Sequence, residues 1–197
     1  MSPPLSWRAR VRENIESNDL MFFMPIGPTS DREASGTTMP ERDDYVMFYT
    51  VYGECFSVWS GVEFNLLAIY IFLMNSSDYD AASAAFYSTN GFRAKLDMVN
   101  AVVINSKRVN SDDLKMWKKT FEECSKKSRR RNELAHNAVF FGRLSESDQR
   151  KIFVADPRSP ARGSRLHLHD LVKIRESFVV LREEMLSFWQ HLLSNEA

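Results

Sequence analysis

Arg131, Asn132 and His136 combine residue types that can do phosphoryl chemistry. A guanidinium presents a planar fork of N–H donors that matches phosphate oxygens. An imidazole titrates near pH ~6.5, so at neutral pH it can take or give a proton. Such a set meets the needs of metal-free RNA cleavage, in which the 2′-hydroxyl attacks the adjacent phosphate. One group must take that proton, another must protonate the leaving 5′-oxygen, and positive charge must sit beside the phosphorane. At ~100° per residue, Asn132 and His136 are helical neighbours about 40° apart, so the amide can orient the ring. Arg131 lies about 140° from His136, which is awkward for one compact site. Either the long Arg side chain wraps round the helix or two copies of the motif face each other.

Within Lys126–Asn137, the order Arg131, Asn132, three residues, His136 resembles the signature of the HEPN family, helical nucleic-acid-associated domains. With 17 Arg and 4 His in the chain, an Arg five residues before a His arises about 0.35 times by chance. Arg162 and His167, in a Pro/Gly-rich loop, are such a pair. Requiring Asn, Asp or His directly after the Arg lowers the chance to about 0.05. The resemblance implies a ribonuclease site of Arg131, Asn132 and His136, composed at a dimer interface with one His from each subunit. It also implies a toxin or defence setting with a neutralising protein partner. Some members of the family lack nuclease activity, so a nucleic-acid-binding or dimeric scaffold module is the alternative expectation.

The structural alternatives are equally concrete. Arg131 sits on an apolar stripe and would there need an ion-pair partner, for which Glu63, beside the stripe of an earlier helix, is the candidate. His136 could act as a helix C-terminal cap. Lys and Arg balance Asp and Glu at 26 each, so net charge names no partner. The distribution is uneven, at +6 over Lys107–Arg131 and −5 over Glu41–Asn100. Lys126, Lys127, Arg129 and Arg130 are thus expected to contact RNA phosphates, or else to form a solvated face.

The elements that must hold this site are helical. Seven Gly and seven Pro among 197 residues are too few for many short strands. Tyr45, Phe48, Tyr52, Cys55, Trp59, Val62, Leu66, Ile69 and Leu73 recur at alternating 3 and 4, which predicts one long helix ended by Ser76 and Ser77. A short helix over Asp80–Tyr87 and the Asn90-Gly91 turn follow, then a helix with Phe92, Leu96, Val99 and Val103 on one face. Ser111 reads as the N-cap of the motif helix, whose stripe is Leu114, Trp117, Phe121, Cys124, Ser128, Arg131, Ala135 and Ala138. Val139–Phe141 and Ile152–Ala155 read as a small hairpin around the polar segment Ser145–Arg150. Leu171, Ile174, Phe178, Leu181, Met185, Phe188 and Leu192 mark the last helix.

Single apolar stripes on long antiparallel helices can be buried only against one another. The expectation is an all-α antiparallel bundle of four to five helices over 41–197, with a small β-hairpin before the C-terminal helix. Residues 1–40 read as a polar arm. A short helix is expected over Trp7–Ile15, and an apolar group, Met21, Phe22 and Phe23, is expected to dock on the domain's own surface or on a partner. A homodimer suits the narrow seams. The longest apolar run, Leu66–Met74, is nine residues against the ~20 that span a bilayer, so no membrane segment and a cytoplasmic location are expected. Cys55 and Cys124 lie in apolar patterns and should be buried thiols. His167, His169 and Asp170 have metal-ligand types on one expected strand but lack a third firm ligand, so neither metal nor cofactor is assigned.

Overall fold

The computed structural model describes residues 42–142, 151–160 and 164–195, of which 77% are helical. Trp7–Ile15, the Met21–Phe23 group and Ser145–Arg150 lie outside them. In chain order the described elements are α1 (Arg42–Met74), α2 (Tyr79–Ser88), α3 (Phe92–Asn105), α4 (Ser111–His136), β1 (Ala138–Gly142), β2 (Lys151–Ala155) and α5 (Leu168–Ser194). This is the expected all-α bundle with its hairpin before the last helix.

α1 is the centre. Its predicted stripe is buried from Phe48 onward except for the half-buried Tyr52, and Leu67, Ala68, Ile71 and Phe72 are buried as well, so its C-terminal half is enclosed by α5, α3 and α2. Trp59 anchors this core, its ring centroid 4.6 Å from Phe92 and 5.0 Å from Phe178. By length and composition α1 also passes for a membrane span, with a mean hydropathy of 1.5 over 18 residues; 61% of that window is buried inside the bundle. The nine-residue run understated this helix because isolated polar residues such as Asn65 interrupt it. Asn65 is itself buried and donates from Nδ2 to the Arg182 carbonyl of α5 at 3.0 Å.

Helix boundaries follow local chemistry, with two corrections. α1 ends at Asn75 rather than at the serines. Asn75 takes a left-handed φ of 51°, and the Asn75 and Ser76 N–H groups return to the Phe72 and Ile71 carbonyls. α4 is capped by Asn110, not Ser111. The Asn110 side chain accepts from the Asp112 and Asp113 N–H groups, and Asp113 Oδ2 accepts from the Asn110 N–H at 2.9 Å. Asp113 is fully buried, and its other oxygen lies 2.8 Å from His191 Nε2, which ties the start of α4 to the end of α5.

The hairpin pairs antiparallel with Phe140 opposite Phe153 and Phe141 opposite Ile152. Leu166 adds a bridge to Val154, but the alternating segment predicted to continue as strand turns helical at Leu168. Asp170 favours this by accepting from the His167 N–H at 2.9 Å.

Both thiols are buried. Burial raises Cys55 to about 11 and Cys124 to about 12, against an ordinary value of 9.0. Neither should react with a thiol-exchange reagent at pH 8 while the chain is folded, and both should react in guanidinium. The unfolded thiols ionise first, so stability should decline as pH rises above about 9. Denaturant midpoints at pH 8 and pH 10 check the sign.

Candidate functional site

Arg131, Asn132 and His136 all lie in the last two turns of α4, where the helix gives way to β1. The buried seam of α4 runs Asp113, Trp117, Thr120, Cys124 and Leu134. Leu134, not Ala135, is the apolar residue buried in the last turn, and Ala135 is exposed. Leucine offers more apolar surface, so the helix settles with Leu134 inward. Arg131 lies one turn before Leu134 on that side and is half-buried, whereas Asn132 and His136 are exposed.

The suspected ion pair between Arg131 and Glu63 does not form. Glu63 accepts from Lys95 Nζ at 3.1 Å and from Trp59 Nε1 at 3.2 Å, so both its oxygens are engaged by other residues. Arg131 keeps its Nε buried and unpartnered among the described residues. Among the described residues its one side-chain hydrogen bond is from an Nη to Asn132 Oδ1, a long 3.4 Å. A half-buried guanidinium without a carboxylate is uncommon, because a cation in low dielectric normally finds a counter-charge.

His136 has no side-chain hydrogen-bond partner among the described residues, and its ring is not bonded to the Asn132 amide. Asn132 instead turns toward Arg131. The three motif residues are therefore close in the chain but do not converge in one copy: Arg131 faces the bundle, and His136 faces outward.

The basic residues differ among themselves. Lys127 is largely buried and reaches Glu123 at 2.8 Å, and this bond holds the Glu123 carboxyl below its usual range. Lys126 shares the same carboxylate at 3.8 Å, and Arg130 binds Glu133 at 2.7 Å. Arg129 is exposed and has no carboxylate partner among the described residues. Much of the positive stripe is thus internally compensated.

Residues absent from the sequence reading of the site also border it. Tyr52 donates its hydroxyl to the Leu134 carbonyl at 3.0 Å, satisfying an acceptor at the open end of α4 and fastening it to α1. Its hydroxyl is raised above the ordinary value of 10.0 by burial, so it remains a donor at neutral pH. The signal for such contacts was present as a second α1 stripe, Tyr45, Tyr49, Tyr52 and Phe56, beside the core stripe.

The histidines near the last helix take other roles. His169 Nε2 lies 3.0 Å from Asp170 Oδ1, while Asp170 Oδ2 caps α5. Among the described residues no group of three or more His, Cys, Asp or Glu is placed to hold a metal ion. Compared with family models, curated proteins and solved structures, the chain matches none of them.

Proposed function

We propose that this chain is an HEPN-like endoribonuclease that cuts single-stranded or looped RNA without a metal, working as a two-fold dimer. The observation that carries the reading is Arg131, a half-buried cation with an unpartnered Nε and, among the described residues, no carboxylate paired with it. Glu63, which could have made Arg131 structural, belongs to Lys95. A phosphate is the natural counter-charge for such a fork. Asn132, already bonded to Arg131, holds the guanidinium, while His136 is free to exchange protons with solvent or substrate.

In this reading Arg131 binds and neutralises the phosphate, and the imidazole takes the 2′-hydroxyl proton or supplies one to the leaving 5′-oxygen. Arg131 and His136 point to different sides of α4, so one chain lacks part of the machinery. A second copy related by a two-fold axis supplies the opposing His136. The resemblance adds a defence or toxin setting with a neutralising protein partner.

The test is incubation of the full chain with a looped RNA in EDTA, with light scattering on the same sample. Expected are a dimer and products ending in a 2′,3′-cyclic phosphate and a 5′-hydroxyl. Products with 5′-phosphates, or activity only with divalent metal, would reject the mechanism. A monomer that binds RNA without cutting would establish the binding module instead.

The basic face makes a separate prediction. Arg129→Gln should weaken RNA binding and reduce the salt slope by about one phosphate contact, whereas Lys127→Gln should change neither, because Lys127 is committed to Glu123. Titrations at several salt concentrations give both slopes. Equal effects would show that the compensation seen in the free protein is lost on binding.

A further inference from the structure

We propose that the aromatic ladder on the first half of α1, together with Phe141 of β1, is a stacking shelf for the unpaired bases of the RNA that Arg131 holds. This rests on the nuclease reading for its substrate but not on catalysis. Tyr45, Tyr49, Tyr52 and Phe56 recur at 4, 3 and 4, on one side of α1. The Tyr45 and Tyr49 centroids are 4.7 Å apart, and Tyr52 and Phe56 are 5.2 Å apart. Phe141 extends the ladder beyond the helix, its ring stacked on Tyr45 at 5.5 Å and only 10° from parallel.

These rings are open to solvent: Tyr49 is 38% exposed, Tyr45 40% and Phe141 42%. Phe141 lies on the opposite strand face from Phe140, which stacks on the buried Phe153 at 6.0 Å. The inner end of the ladder is fixed to the motif helix, because Tyr52 bonds the Leu134 carbonyl and Leu134 is flanked one turn earlier by Arg130 and Arg131.

Charge selects the occupant. The ladder runs from the acidic first turn of α1, with Asp43 and Asp44 exposed, to the guanidiniums of α4. A single strand laid along it would have phosphates repelled at the outer end and bound at the inner one, with bases on the rings between. Flat aromatic faces near a guanidinium without a carboxylate partner among the described residues suit unpaired bases of any sequence. A base-paired helix hides those faces, so the shelf also accounts for selection of single-stranded or looped RNA.

The experiment measures binding of two uncleavable 2′-O-methyl oligonucleotides of equal length and charge, one with bases and one abasic, by fluorescence anisotropy with the full chain. Wild type should prefer the base-bearing strand. Tyr45→Leu with Phe141→Leu keeps apolar volume but removes two π faces, and should cost about 5- to 150-fold on that strand with little change on the abasic one. Tyr45→Trp should retain the preference. Equal binding of both strands by wild type, or binding of neither, would overturn the shelf. Loss of the dimer in the Leu variant, seen by light scattering, would also overturn it and assign the ladder to a subunit interface. Failure of the nuclease reading is registered separately, as absence of cleavage, and leaves the base-versus-abasic comparison intact.

Discussion

His136→Ala is expected to lower RNA cleavage by ~10²- to 10⁴-fold, the range of a lost general acid or base. Its melting temperature should barely move, because the ring is exposed and unbonded and such surface changes stay within about 0.5 kcal/mol. Arg131→Ala should be comparably inactive for a different reason, loss of charge at the phosphorane. Were Arg131 the partner of Glu63, its removal would strand a carboxylate in the core. With Glu63 bound to Lys95, no carboxylate is stranded and the stability loss should stay at about 1 kcal/mol or less. Arg131→Lys distinguishes charge from geometry: it restores a cation but not the fork, so recovery should be partial. Mixing the two alanine variants adds a further reading. If the site needs one His136 from each subunit, the heterodimer keeps only one imidazole and should stay inactive, whereas recovery would show that one His136 and one Arg131 from different subunits suffice. Full activity of His136→Ala would remove the site from consideration and place the cleavage elsewhere.

The fold was legible because period carries so much of it. The last helix buries all seven residues of its predicted stripe, from Leu171 to Leu192, since no polar residue competes for that face. Where the pattern misled, a local interaction outweighed periodicity. Tyr45 continues the α1 stripe by spacing, yet stands 40% exposed; its neighbours from Asp43 to Met47 are all exposed too, and its ring stacks on Phe141 instead of entering the core. His169 reads as strand by alternation, yet Asp170 caps a helix that begins before it. In the site, the types and order of Arg131, Asn132 and His136 could be read directly. Their mutual geometry could not, because it depends on which side of α4 the bundle buries. That is decided by Leu134, Tyr52 and the elements that meet them, at sequence separations no local pattern encodes.

Glu63→Ala should be clearly destabilising, and it checks the pairing that leaves Arg131 without this carboxylate. The Lys95 ammonium has 11% of its side chain exposed, lies 5.2 Å from the Phe86 ring centroid and 4.9 Å from that of Tyr87, and has Glu63 as its carboxylate. The two rings attract the cation but do not replace its hydration. Without Glu63 the charge remains in a largely apolar box, and Trp59 Nε1 loses its acceptor too. Breaking a fully buried pair from one side costs about 3–5 kcal/mol. Glu63 is 21% exposed, so water can reach part of the site and a loss of about 2–3 kcal/mol is expected. For a domain of this size that corresponds to a fall in Tm of roughly 5–10 °C. Lys95→Met combined with Glu63→Gln should recover most of it, because the amide can still accept from Trp59 and no charge is left behind. Below its melting range, Glu63→Ala should cut RNA as wild type does. If it instead lost cleavage while the double variant regained stability but not activity, Glu63 would act on the site, and the assignment of Arg131 as an uncompensated phosphate ligand would fall.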